Sequence, residues 1–148
     1  MPYSVKIKRC SNVEGLPLPS KATPYSSGFD LHAAVIEPIH VKPGQRCLVP
    51  TSIAIAMPPQ LEAQVRPRSG LALKHGITAL NSPGTIDADY RGEIKVILIN
   101  HGQEEFVINR GDRIAQLVFQ IVPEVNMEII NELPDTARGE GGFGHTGV

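Results

Sequence analysis

Asp87 and Asp89 stand two residues apart in the run Asn81-Ser82-Pro83-Gly84-Thr85-Ile86-Asp87-Ala88-Asp89-Tyr90-Arg91-Gly92-Glu93, with small Ala88 between them. On an extended backbone that alternation sends both carboxylates to one face, where a carboxylate can take a proton from a water or meet a cation. Like charges so close on a covered face are costly unless water, a metal or a partner cation offsets them. The run therefore reads either as a catalytic hairpin or as a solvated turn ahead of an edge strand. Arg66-Pro67-Arg68-Ser69-Gly70 offers two guanidiniums, a hydroxyl and the free first amides of a helix. That combination suits an anion, and it equally suits an ordinary helix start with solvated arginines. Arg138-Gly139-Glu140-Gly141-Gly142-Phe143-Gly144 joins a cation, amides that can approach a phosphate closely, and an aromatic able to stack on a base. It is no P-loop, since no Gly-Lys-Ser/Thr closes it, and it also reads as a linker.

Other chemistries find little support. The five histidines, His32, His40, His75, His101 and His145, show no metal-ligand spacing among themselves or with Cys10 and Cys47, so no zinc site is expected. No Gly-x-Ser-x-Gly elbow is present, which leaves Ser69 without support as a hydrolase nucleophile. Arg110-Gly111-Asp112 is the tripeptide that adhesion receptors read, and as local structure it is a tight turn leading into Arg113 and the apolar residues after it.

The elements that must position these groups are short. At 148 residues the chain makes one domain with a real core. Its 14 Gly and 13 Pro are spread along the sequence, which predicts many strands separated by turns. With no Trp and 4 Phe, the core is built of Val, Ile, Leu and Ala. Strands are expected at Val5 to Lys8, Gly28 to Ala34, Ile39 to Val41, Gln45 to Val49, Ile53 to Met57, Leu61 to Arg66, Glu93 to Asn100, Phe106 to Ile108 and Arg113 to Gln120, with a Pro-rich loop from Gly15 to Tyr25. One helix is expected from Ser69, acting as its cap, to His75, with Gly76 ending it. Residues 1–134 form the body; residues 135–148, with five Gly and a single aromatic, form an arm that cannot bury enough apolar surface to order itself.

The net charge of -1 gives no global field to hold a nucleic-acid backbone, and any bound anion needs a local constellation. No charged-then-apolar leader and no apolar run of membrane-spanning length is seen. A cytoplasmic protein with two free thiols is expected.

Taken in order, Ser27-Gly28-Phe29-Asp30-Leu31, Pro67-Arg68-Ser69-Gly70, Gly84 to Glu93, Arg110-Gly111-Asp112-Arg113-Ile114-Ala115-Gln116 and Arg138 to Gly144 resemble the five motifs of the trimeric dUTPases over nearly the whole chain. Departures are small: Phe29 stands where Tyr is common, Thr85 where an aliphatic residue is usual, and His145 where Ser is usual. The resemblance implies an all-β, single-domain, jelly-roll-like sandwich with one short helix and a flexible C-terminal arm, assembled as a homotrimer with active sites shared between subunits. It implies hydrolysis of dUTP to dUMP and diphosphate, which limits uracil incorporation into DNA and supplies dUMP for dTMP synthesis. In that resemblance Asp87 is the general base on a water aimed at the α-phosphorus, and Mg²⁺ is held mainly by the substrate phosphates, with Asp30 supporting its water shell. Arg68, Ser69, Gln116 and Arg138 meet phosphates or water, and Asn81 and the hairpin backbone meet uracil. Tyr90 excludes a ribose 2′-hydroxyl, and Phe143 stacks on the base; Gly70, Gly84, Thr85, Ile86 and Gly144 complete the substrate contacts. A dCTP deaminase shares the implied fold, but those enzymes lack the pattern from Ile86 to Tyr90 and this Gly-rich terminal motif.

Overall fold

The computed structural model describes residues 2–147; Met1, and Val148 at the end of the expected arm, lie outside it. The described residues form eleven strands and one helix. In chain order these are β1 (Lys6–Arg9), β2 (Phe29–His32), β3 (Ile39–Val41), β4 (Arg46–Pro50), β5 (Ile53–Ala56), β6 (Leu61–Arg66), α1 (Ser69–His75), β7 (Ile77–Ala79), β8 (Gly84–Ile86), β9 (Lys95–Asn100), β10 (Phe106–Ile108) and β11 (Arg113–Ile121). The all-β, jelly-roll-like expectation holds.

Strand β6 shows how the sequence makes a sheet. Leu61, Ala63 and Val65 are buried while Glu62, Gln64 and Arg66 are half-exposed, because successive side chains leave a pleated strand on opposite sides. It pairs antiparallel with β11 on one side and β8 on the other, and β2 completes a sheet of order β2-β11-β6-β8. A second sheet has the order β4-β9-β7, and β1-β5 and β3-β10 form two-stranded pairs. Leu31, Ala63, Val65 and Leu117 from the first sheet meet Val49, Ile77, Val96 and Leu98 from the second in one aliphatic core. Burying each of the larger side chains stabilises the fold by about 1.5–3 kcal/mol.

Asn100 is the polar exception in that core. It is fully buried, and its Nδ2 donates to the Val41 carbonyl and the Glu104 carbonyl, both at 2.8 Å, while its Oδ1 accepts from the Gly102 amide at 2.8 Å. One side chain thus ties β3, β9 and the following turn together. Asn100→Ala is expected to lower stability by roughly 3 kcal/mol, since a fully buried side chain gives up three hydrogen bonds at once. A urea-unfolding midpoint with an unchanged slope would measure it.

Several local expectations are corrected. Ser69 is the first residue of α1 rather than its cap: the cap position is Arg68, in extended conformation, and no side chain caps the helix. Gly76 ends α1 as expected, at φ 67°, where its lack of a Cβ removes the left-handed penalty. The strand expected from Gly28 to Ala34 shortens to β2. Strands β7 and β8 add two that sequence reading passed over, because three residues are too few to display a period. Cys10 and Cys47 are both free, and burial pushes the Cys47 thiol upward, against a smaller opposing effect of a backbone hydrogen bond at Leu98. No helix among the described residues is long and apolar enough to cross a membrane.

Candidate active site

The Asp87 hairpin is a turn, which corrects the expectation of two carboxylates alternating on an extended strand. Strand β8 stops at Ile86, and the Tyr90 amide then donates to the Asp87 carbonyl at 3.1 Å, closing a turn through Ala88 and Asp89. A reversing backbone breaks the period of two, so Asp87 and Asp89 diverge. Asp87 lines a cleft of about 440 Å³; Asp89 does not. The same cleft is lined by Asn81, Gly84, Thr85, Ile86 and Tyr90, so six of the residues singled out from sequence share one cavity. Leu48, Ile94 and Ile97 supply apolar wall that no sequence motif pointed to.

Local chemistry holds the cleft open. Ser82 Oγ donates to the Ala79 carbonyl at 2.7 Å, which anchors the turn that carries Asn81. Gly84 is buried beneath the Asn81 amide: a Cβ there would lie 3.2 Å from Asn81 Nδ2 and 3.3 Å from Val65 Cβ. On the far rim, Tyr90 Oη donates to the Glu93 carbonyl at 3.0 Å, folding the ring back over its own turn. Arg91 Nη1 donates to the Ala88 carbonyl at 2.7 Å and pins the tip.

A second constellation gathers at the other end of the β2-β11-β6-β8 sheet. Asp30 sits opposite Gln116, which sits opposite Arg66, so the three occupy one row across three strands. Asp30 Oδ1 lies 3.6 Å from Arg68 Nε and Oδ2 lies 3.4 Å from Arg113 Nη1, with the carboxylate side chain only 18% exposed. Arg68 Nη1 also donates to the Arg113 carbonyl at 3.0 Å, and Gln116 Nε2 donates to the Pro67 carbonyl at 3.0 Å. Arg113 stands in the fourth motif, directly after the turn Arg110-Gly111-Asp112, but no role was read for it from sequence. His32 stands beside this group. Burial lowers its pKa, the Arg113 and Arg68 guanidiniums lower it further, and Asp30 opposes them. Ser69 and Gly70 are exposed at the start of α1.

The register keeps the two constellations apart within one chain. Ile86, the last residue of β8 before Asp87, pairs with Ala63, whereas Asp30, on β2 three strands from β8, is level with Arg66. With ~3.3 Å per residue and ~4.8 Å between strands, the two carboxylate-bearing positions lie on the order of 20 Å apart. Among the described residues, no hydrogen bond or ion pair joins the arm to either group. Arg138 Nε donates to the Gly141 carbonyl at 2.8 Å, within the arm itself, and Phe143 is 113% exposed.

A family model described as dUTPase matches residues 14–147. The chain belongs to the dUTPase family. Two relatives with the name deoxyuridine 5'-triphosphate nucleotidohydrolase bear this out. The one from Maricaulis maris is 59% identical over 146 residues, covering 97% of this chain and 96% of the relative. The one from Rickettsia felis is 59% identical over 144 residues, covering 97% of each. Among solved structures, a variant of the staphylococcal bacteriophage 80alpha dUTPase with dUpNHpp superposes with a TM-score of 0.86 at 21% identity, over 98% of this chain and 99% of that one. A variant of the phage phi11 enzyme, described with a structural Mg(II) ion, superposes at 0.78 with 20% identity, over 87% of this chain and 97% of its own. At such identities these two superpositions speak for the shared fold, and the sequence relatives place the chain in this enzyme family.

Proposed function

We propose that this member of the dUTPase family hydrolyses dUTP to dUMP and diphosphate at sites built between copies of the chain in a homotrimer. The observation that carries the reading is the cleft in which Asp87 stands among Asn81, Gly84, Thr85, Ile86 and Tyr90. A cavity of about 440 Å³ suits a nucleoside. Asn81 and the backbone of β8 present donors and acceptors to a uracil edge, and Tyr90 stands as the wall against a ribose 2′-hydroxyl. Asp87, exposed at the mouth, accepts the proton of a water that attacks the α-phosphorus. The bond from that phosphorus to its bridging oxygen breaks, and diphosphate leaves.

Phosphate recognition requires more positive charge than the cleft itself offers, since Lys95, which lines it, lies 3.8 Å from Glu93 Oε2. Arg68, Ser69 and Gln116 supply these contacts, and Arg138, Phe143 and Gly144 close over the nucleotide. With the Asp87 hairpin on the order of 20 Å from Asp30 on the same sheet, a second copy must bring the phosphate group to it. Residues 122–133 support assembly. They run without regular structure and expose Val125, Met127, Ile129 and Leu133, an apolar edge that a monomer would leave in water. In this reading residues 135–148 act as the arm and residues 1–134 as the body. A sedimentation mass near one chain would overturn the shared-site arrangement.

The residues present fit Mg²⁺ in one limited way. Among the described residues no cluster of three or more His, Cys, Asp or Glu could hold a metal, and Asp30 is already flanked by Arg68 and Arg113. That suits an ion held mainly by substrate phosphates and waters, with Asp30 reached through water. When bound, the ion would neutralise charge developing on the phosphate oxygens. The product dUMP is a substrate for C5 methylation to dTMP, and removal of dUTP limits uracil in DNA. Two free thiols suit the reducing cytoplasm.

The test is diphosphate release with Mg²⁺ from dUTP, dCTP, dTTP and UTP in parallel. Rapid release from dUTP alone is expected. Inert dUTP that still binds would reduce the protein to a nucleotide-binding module, and ammonia from dCTP would move it to the deaminases.

A further inference from the structure

Gly92 has no side chain, yet it decides where one lies. A Cβ built on it would fall 2.4 Å from the Tyr90 hydroxyl oxygen, 2.6 Å from Cζ and 3.0 Å from Cε2. All three are at or inside the limit that non-bonded carbon and oxygen tolerate. The tyrosine tip therefore occupies the space that any other residue at 92 would fill. Gly92 is not among the positive-φ residues, so its backbone would accept a side chain, and the nearest atoms that a Cβ would meet all belong to the ring. Tyr90 is 44% exposed and the clashing atoms are its far end, so the ring would yield to an added Cβ before the backbone did. A ring pushed off this seat also breaks its 3.0 Å bond to the Glu93 carbonyl and moves within the cleft it lines.

We propose that Gly92 is a positioning residue for sugar selectivity: by leaving a seat for Tyr90, it holds the ring where a ribose 2′-hydroxyl would need to go. The proposal rests on the reading of Tyr90 as the sugar wall. An Ala at 92 leaves Asp87, the phosphate-binding groups and the uracil edge in place, and it disturbs the wall. The loss is therefore expected in discrimination rather than in the chemistry of hydrolysis.

The experiment compares kcat/KM for dUTP and UTP in wild type, Gly92→Ala, Tyr90→Ala, the double variant and Tyr90→Phe. In Gly92→Ala the dUTP to UTP ratio should fall about tenfold or more. On the Tyr90→Ala background the same substitution should change the ratio no further, since no ring remains to displace. Tyr90→Phe should keep most of the ratio, because Gly92 still seats the ring without its hydroxyl. A Gly92→Ala ratio equal to wild type, or an equal loss with and without the ring, overturns the proposal while leaving Tyr90 as the sugar wall. An unchanged ratio in Tyr90→Ala overturns that reading and this proposal with it. If Gly92→Ala fails to fold while the double variant folds, the ring is the clash and Tyr90→Phe decides. A Tyr90→Phe loss as large as that of Tyr90→Ala would then assign the ring's position to its hydroxyl bond and overturn the role of Gly92.

Discussion

Asp87→Asn should reduce turnover of dUTP by about 10²–10⁴-fold while nucleotide binding stays close to normal. The substitution keeps the shape of the side chain and removes its capacity to accept a proton, so the loss falls on kcat. Stability offers an internal control. Asp87 is exposed, and among the described residues its carboxylate takes part in no ion pair or hydrogen bond, so the thermal midpoint should move by no more than a degree or two. Asp89 provides a second control. It is also exposed and two residues away, but it lies outside the cleft, so Asp89→Asn should change turnover only a few-fold. Steady-state kinetics beside a binding titration with a non-hydrolysable analogue separates the cases. Near-normal turnover in Asp87→Asn removes this carboxylate from proton transfer. Equal losses at both positions point to the summed charge of the hairpin rather than to one base.

That contrast was hidden in the sequence. Alternation around Ala88 reads as one face of a strand, and only the Tyr90-to-Asp87 hydrogen bond turns the backbone and separates the two carboxylates. Where a local pattern fixes the outcome, the residues were legible: Leu61, Ala63 and Val65 announce β6, and Gly76 ends α1 because no side chain resists its left-handed backbone. Strands of three residues, such as β7 and β8, present no period to find. The walls Leu48, Ile94 and Ile97 reach the cleft through pairing between distant segments, which no motif encodes. Register hides in the same way. That Gln116 faces both Asp30 and Arg66, while Ile86 faces Ala63, decides that one chain separates hairpin from arginines, and it depends on contacts far apart in sequence. The glycine at 92 was visible as a residue and invisible as a seat, because its role is defined by the tyrosine folded onto it.

Removing residues from Arg138 onward should cost at least about 10²-fold in kcat/KM for dUTP and leave the fold intact. Phe143 is 113% exposed, and among the described residues the Arg138 guanidinium bonds only within the arm, so the described body should lose no buried contact when they go. The thermal midpoint and the assembly state of the truncated chain should match the full chain. What is lost is the closed site. In the proposed function, one guanidinium would no longer face the phosphates, one aromatic would no longer cover the base, and water would keep its access to the reacting oxygens. The single substitution Phe143→Ala removes stacking alone, for which about 1–3 kcal/mol, or roughly 5–150-fold, is the usual scale; Arg138→Ala removes charge alone and should weaken dUTP more than dUMP, because only the former presents the outer phosphates. The two losses should multiply to less than the truncation, since the truncation also removes the backbone amides of Gly139, Gly141, Gly142 and Gly144. Full activity in the truncated chain would make residues 138–148 a linker. A truncated chain that falls to monomers would instead show that the arm's work is assembly, with activity lost because the hairpin no longer meets the phosphate-binding row of another copy.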